Sequence, residues 1–437
     1  MALTDVSTSI DGLPPGPRLP VAAQTLLFGK YRHRYIPAMQ RRYGDMFTLR
    51  IAPHARRLVL ISRPEDIRTV FTGSTSVFHA GEGNAILGPI MGDHSVLLLD
   101  ESEHMRVRQL LMPGFHGAAL RGYRDLVTKL ARDEVRSWPA GRPFRLHDRM
   151  SALTLEVILQ VVFGVTDERR LAELRPTVAR VVTINPIVMF GWFYPKLQRF
   201  WPWRQFADIQ REFDRLLYAE IAERRRADLT ERSDVLSRLL AVSGDDGLND
   251  AELRDNLVTL LLAGHETTAT ALAWAGHELV RRPDLLRRAH QAADEGDDAY
   301  LEAVAKEAMR LRPVIYQVAR RLKAPAEVGG YRLPAGVTVM PSIDLVQSDP
   351  AHHPDPDVFD PSRYLGAPLA ANTWIPFGGG VRRCLGAGFS LMEATAILRE
   401  MLLAHELRPE RARPERPKTR NITMAPARGT RVIATPR

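Results

Sequence analysis

Phe377–Gly378–Gly379–Gly380–Val381–Arg382–Arg383–Cys384–Leu385–Gly386 is the stretch around which the chain is organised: a glycine-rich loop that delivers the only cysteine of 437 residues to the start of a helix. Small residues before Cys384 allow a tight bend and a close backbone approach, and Gly386 extends that freedom just after it. From Gly388 to His405 the apolar residues Phe389, Leu391, Met392, Ala396, Ile397, Met401 and Leu402 recur at helical spacing,. Cys384 therefore sits just before a helix N-terminus, where the dipole and free N–H groups favour a thiolate. With Arg382 and Arg383 adjacent, the sequence predicts a sulfur set up as an anion, in contrast to the small buried hydrophobe that a lone cysteine usually is.

Outward from the loop, the second anchor is Asn249 to Arg282, a long helical pattern. Asn249 caps it, Glu252 completes a capping box and Pro283 closes it. Its centre, Ala263–Gly264–His265–Glu266–Thr267–Thr268, breaks local rules, because glycine and consecutive β-branched threonines weaken a helix and a hydroxyl can bond back into the ladder. Broken rules in a long helix point to function. His265–Glu266 does not open a zinc-protease helix, since the second histidine would have to stand at Ala269; His265 itself is read as packed or hydrogen-bonded.

The cysteine loop resembles the haem-binding signature of the cytochrome P450 family through Phe377, Gly380, Arg382, Cys384 and Gly386. The run Ala263–Thr268 resembles the same family's oxygen-activation segment, and the resemblance spans essentially the whole chain. It implies a mainly α fold with a small β lobe, of triangular outline, with haem b held between the long helix and the cysteine loop. Cys384 would be the iron ligand, trans to the open position, where a thiolate favours O–O cleavage. Phe377, Gly378 and Gly386, with Ala263 and Gly264, would line the cofactor, and the glycines would let the backbone approach the flat macrocycle. Thr267 would be the alcohol that meets dioxygen, and Glu266 the acid that relays protons inward.

Other segments gain roles by the same resemblance. His104 and Arg108, four residues apart on one helix face, would bind the haem propionates, joined by Arg320, although the adjacent Arg321 leaves that position ambiguous by one. Glu307, Arg310 and Arg363 would form a buried structural network that fixes the loop carrying Cys384. His79 to Leu99 is either a surface loop with apolar anchors or the loop over the distal pocket. Ile187 to Trp203, with Phe190, Trp192, Phe193, Tyr194, Phe200, Trp201 and Trp203, is read as a hydrophobic entrance and a possible lipid contact, against ordinary packing under a loop. Asn421 to Met424 resembles a hairpin that reaches the pocket.

Composition fits these readings. With 45% hydrophobic and 25% charged residues the chain is ordinary globular material,, and without a linker, repeat or low-complexity tract it reads as one domain over 1–437, with 1–20 extended. One cysteine excludes an internal disulfide framework and suits a reducing cytoplasm. No apolar run approaches the length of a membrane span; the longest, Ile184 to Tyr194, is too short. Pro14–Pro15–Gly16–Pro17 resembles the hinge after the anchor of microsomal relatives, yet only a short polar segment precedes it, so a soluble protein is expected. The net charge of +9 could signal nucleic acid, but the arginines are scattered beside acids. Even Arg224–Arg225–Arg226 sits among Glu220, Glu223 and Asp228 and reads as a solvated helix face.

Strands are expected at Met46–Ile51, Leu58–Ile61 and Val337–Met340, the last pairing with the first two. The expected activity is insertion of one atom of O2 into a hydrophobic small molecule such as a fatty acid, terpenoid or steroid. No flavin or iron–sulfur module fits this length, so NAD(P)H would act indirectly, through a ferredoxin or flavodoxin with its reductase, docking on a monomer at Arg121, Arg124, Arg382 and Arg383. The alternatives are a haem-thiolate sensor or carrier, which has no need of Glu266–Thr267, a peroxide-using or rearranging haem-thiolate enzyme, and a cysteine hydrolase, which would be colourless.

Overall fold

The computed structural model describes residues 12–182, 199–242 and 247–437. The aromatic residues Phe190 to Tyr194 lie outside them. Helices dominate, and the longest, Asp250–Leu279, begins with the expected capping box: Asn249 Oδ1 accepts from the Glu252 N–H at 3.0 Å, and Glu252 Oε2 accepts from the Asn249 N–H at 2.9 Å. Its 30 residues run about 45 Å. Every side chain from Thr268 to Leu279 is buried, so this helix is the axis of the main core and is enclosed all round in its second half. Helix Leu146–Val161 packs against it where Gly264 has no side chain; a Cβ there would meet Ile158 Cδ1 at 2.7 Å.

The helix after the cysteine, Ala387–Ala404, packs against Ala118–Arg136 and Asp298–Leu311 and joins the same apolar core through Phe389, Ile397, Leu398 and Met401. The β lobe has its own cores. Its five-stranded sheet runs Met46–Ile51, Arg56–Ile61, Thr338–Pro341, Arg320–Leu322, Phe78–His79. The late strand starts one residue after the expected Val337 and touches only one of the two early strands, in parallel, with Leu58 opposite Thr338; the other is blocked because Met46–Ile51 occupies the outer edge. Pro14 and Pro15 lie along that edge, their carbonyls accepting from the Thr48 hydroxyl and N–H at 2.8 and 2.9 Å. Gly16 is forced by this contact, since a Cβ would stand 1.9 Å from the Thr48 oxygen.

The basic run is a solvated face at Arg225 and Arg226 but not at Arg224. Arg224 is buried and bonded to Glu220, Asp234, Ser237 and the Phe163 carbonyl, because the chain folds back at Asp234 and brings an acid that sequence proximity could not supply. Arg225 pairs with Asp250 at 2.7 Å.

Candidate active site

The cysteine loop is closed by its own backbone: the Cys384 N–H donates to the Phe377 carbonyl at 2.9 Å, and Gly378 N–H to Ile375 at 2.9 Å. Gly378 and Gly380 have φ of +65° and +64°, a conformation that favours glycine. The close approach expected of the glycines is made to protein: a Cβ on Gly380 would stand 1.9 Å from the Phe71 carbonyl oxygen, and one on Gly379 would stand 2.2 Å from the Phe71 ring. Gly386 alone faces open space there. It caps the helix Ala387–Ala404, and its N–H is aimed at the Cys384 sulfur.

The expectation of an anionic sulfur meets mixed surroundings: Cys384 is exposed on the loop surface, the protein packed about it pushes the thiol up, and the Gly386 N–H, Arg108 and Arg383 pull it down, with Arg382 not among them. Arg382 turns away, donating to the Val96 and Leu99 carbonyls and to the Asp100 carboxylate. A bond to a metal cation would favour the thiolate outright.

Arg382 thereby joins a basic cluster. His104 is buried, and Arg382, Arg108 and Arg320 all act on it; burial first, then these charges, depress its pKa to about 3, so the imidazole is neutral. Arg320 and Arg382 are themselves lowered to about 10, burial being the main cause for each. Arg108 Nη2 donates to the Arg383 carbonyl at 2.8 Å, which ties the cluster to the cysteine loop. Strand alternation separates Arg320 from Arg321: Arg320 points in, and Arg321 points to Glu82, 3.3 Å away.

The helix centre and the loop are brought together. Phe377 and Leu391 pack on the cluster of Ala271, Met309 and Val314, to which the long helix contributes Ala271 one turn beyond Thr267, and the Thr268 hydroxyl lies 3.2 Å from the Ser390 hydroxyl. The Thr267 hydroxyl donates to the Ala263 carbonyl at 2.6 Å, the back-bond expected of a threonine inside a helix. Glu266 and Thr267 share no hydrogen bond; the Glu266 carboxyl is instead held by the hairpin Pro417–Arg420/Thr423–Pro426. Burial raises the Glu266 pKa against the pull of Arg420, Thr423 and Asn421. His265 is buried and kept neutral, with a pKa of about 4, by burial and by Arg420 and His147.

A cysteine loop, a basic cluster and an acid–alcohol pair are thus assembled from segments far apart in the chain. A family model described as Cytochrome P450 matches residues 13–432. The chain belongs to the cytochrome P450 family. Cytochrome P450 135A1 of Mycobacterium tuberculosis is 49% identical over 434 residues, covering 98% of this chain and 97% of that protein. Cytochrome P450 135B1 of Mycobacterium bovis is 45% identical, covering 97% and 92%. The solved structure of retinoic acid bound cyanobacterial CYP120A1 is similar in fold, with a TM-score of 0.84 over 97% of this chain and 99% of that one, at 22% identity. The cytochrome P450 family consists in general of haem-thiolate monooxygenases that use O2 and redox partners, so this chain is an oxidoreductase of that class.

The residues present fit a haem. Four basic groups, His104, Arg108, Arg320 and Arg382, converge where Asp100 is the only carboxylate acting on Arg320 and Arg382. His104 Nδ1 is buried without a partner among the described residues. Such an excess of donors suits the two carboxylates of a porphyrin. Asp100 escaped the sequence reading because an aspartate before Glu101–Leu111 looks like a helix cap. It makes no cap bond; its oxygens accept from the N–H groups of Gly81 and Glu82 and from Arg382.

Of the four arginines of the expected docking face, Arg382 is turned inward, while Arg124 stays half exposed in an ion pair with Asp298. Among the described residues no helix is long and apolar enough to cross a membrane.

Proposed function

We propose that this protein inserts one atom of O2 into an apolar organic molecule of the fatty acid, terpenoid or steroid type. The observation that carries this reading is that the loop of Cys384 is tied to the basic cluster through Arg108 while Phe377 of that loop and the helix after it pack on the long helix that bears Glu266 and Thr267. Haem b, when bound, supplies the oxygen chemistry. Cys384 is its ligand, and His104, Arg108, Arg320 and Arg382 hold its carboxylates. Phe377, Gly378, Gly386, Ala263 and Gly264 line its faces, with Gly264 also serving the packing on Ile158. Thr267 presents a hydroxyl to dioxygen, and Glu266 carries protons toward it.

Electrons come from NAD(P)H through a separate ferredoxin or flavodoxin with its reductase. The chain acts as one monomeric domain over 1–437 in the cytoplasm, without a nucleic acid partner. Phe200 and Trp201, 62% and 77% exposed, support a lipid or lipid-like contact near residues 187–203.

The test is a reduced, carbon-monoxide-treated protein, which should absorb near about 450 nm through a thiolate ligand, and lose that band in Cys384→Ser. Turnover with surrogate partners in ¹⁸O2 over a lipid and terpenoid library should then give labelled product, and Thr267→Ala should divert electrons from product to peroxide. A full-strength band in Cys384→Ser, or unlabelled product, overturns the reading.

A further inference from the structure

At the C-terminal end of the long helix a cleft gathers positive charge in excess. It is lined by His277 and Arg281 from the helix end, by Arg411, Arg413 and Glu415 from the loop after strand His405–Pro409, and by Arg431 at the start of the last strand. Four guanidiniums thus face one carboxylate. The acids of the loop are already engaged: Glu410 pairs with Arg431 at 2.9 Å and with Arg428 at 3.3 Å, and the buried Glu415 accepts from the Arg428 N–H at 2.9 Å. The guanidiniums of Arg281, Arg411 and Arg413 have no hydrogen bond or ion pair among the described residues.

An arginine just past a helix is ordinarily explained by the dipole and the last carbonyls. Here Arg282 serves that end, its Nη1 donating to the Glu278 carbonyl at 3.1 Å and pairing with the Glu278 carboxylate. Arg411 and Arg413 come from a different segment, which Glu410 and Glu415 hold in place, so the dipole does not account for them. His277 adds an independent sign. It is only 5% exposed, lines the same cleft, and its imidazole makes no hydrogen bond among the described residues. Crowding like charges around an unpartnered polar group is unfavourable until a counter-charge enters.

We propose that this cleft binds a phosphate group, as a pyrophosphate or a phosphate monoester. Its donors arrive from three segments of the chain, and phosphate oxygens diverge to meet them, whereas a carboxylate offers a single plane. Burial, with Arg312, Arg281 and Arg282 beside it, keeps His277 neutral at a pKa of about 4, so the imidazole offers one N–H donor and the arginines supply the charge. The bound group ties the arginine loop to the end of the long helix. None of the lining residues belongs to the basic cluster around His104, so the site is separate from the one that fits a haem.

Isothermal titration of the haem-loaded protein with sodium pyrophosphate at physiological ionic strength tests this. Saturable binding is expected, weakened about tenfold or more in Arg411→Gln/Arg413→Gln and unchanged in Arg226→Gln/Arg332→Gln, which removes the same charge from exposed positions elsewhere. Flotation separates the two sources of the group. Phosphatidylcholine vesicles carrying phosphatidic acid that float the wild type but not Arg411→Gln/Arg413→Gln assign a lipid headgroup; pyrophosphate binding without such flotation assigns a soluble phosphate compound. Should the double variant not fold, Arg281→Gln carries the comparison with the same expected loss. No binding to pyrophosphate together with no flotation that depends on phosphatidic acid overturns the proposal, as does wild-type binding in the variant of the cleft.

Discussion

Glu307→Ala should cost more than any surface ion pair, because nothing can replace the carboxylate. Glu307 is wholly buried and accepts two hydrogen bonds from Arg310, both at 2.8 Å, and one from the Asp360 N–H at 2.9 Å, while Arg363 stands 3.5 Å away. Arg310, also buried, donates in addition to the Gln347 and Val358 carbonyls. Removing one partner of such a pair costs about 3–5 kcal/mol, and the stranded N–H adds about 1 kcal/mol or more.

In a chain of 437 residues, with about 2 cal/mol/K of unfolding entropy per residue, a loss of about 5 kcal/mol lowers Tm by only about 5 °C. The more telling readout is local. Gln347 links Arg310 to the cysteine loop, since its Oε1 accepts from the Ile375 N–H at 3.1 Å and the Ile375 carbonyl accepts from Gly378. Glu307→Ala should therefore lose much of the thiolate band at about 450 nm at temperatures well below its Tm. The double variant Glu307→Leu/Arg310→Met, which strands only Arg363 where the single one strands Arg310 as well, should be more stable than the single one. Calorimetry and carbon monoxide difference spectra on the three proteins decide it. A single variant within about 1 °C of wild type and with a full band would refute the reasoning.

Gly380→Ala should abolish the folded loop, since it forces a Cβ into the Phe71 carbonyl at φ +64°, whereas Gly29→Ala, in a helix with open space around it, should be neutral or stabilising by up to about 1 kcal/mol; thermal melts and difference spectra distinguish them. His277 is held at a pKa of about 4, mainly by burial. The unfolded chain therefore binds more protons between pH 6.5 and 4, and stability is lost as pH falls through that window, by on the order of 2 kcal/mol from this group; His277→Gln should flatten the Tm-against-pH curve there. Phe200→Ser/Trp201→Ser should weaken binding to phosphatidylcholine vesicles in a flotation assay without changing the spectrum, and equal flotation would remove the lipid contact.

What could be read directly from the sequence was whatever one turn or one loop encodes. The Asn249–Glu252 box, the Glu307–Arg310 pair and the helix after Cys384 are fixed by spacings of three or four residues, so periodicity and side-chain chemistry reveal them. The glycines of the loop were legible as necessary, but the reason lay elsewhere: their neighbour is Phe71, some three hundred positions earlier in the chain. Arg224 was misread because an arginine in a basic run commonly faces water, and Asp100 was passed over because it looks like an ordinary helix cap; the true partner of each arrives only through tertiary folding. Arg420 gave no signal, since a lone arginine in a late hairpin is ordinary until Glu266 is placed against it.

The same distinction explains the charge on the sulfur. Counting Arg382 and Arg383 beside Cys384 treats sequence neighbours as spatial neighbours, and this fails because consecutive residues of a tight loop point in different directions. Arg382 is drawn to Asp100, whereas Arg108, from another helix, turns to the loop at Arg383. The positive field near the thiol is thus made by a residue 276 positions away as much as by its neighbour Arg383. A metal cation at the sulfur and two carboxylates at the basic cluster would correct opposite excesses in one step. One ligand carrying both therefore satisfies this site better than a metal or an anion alone.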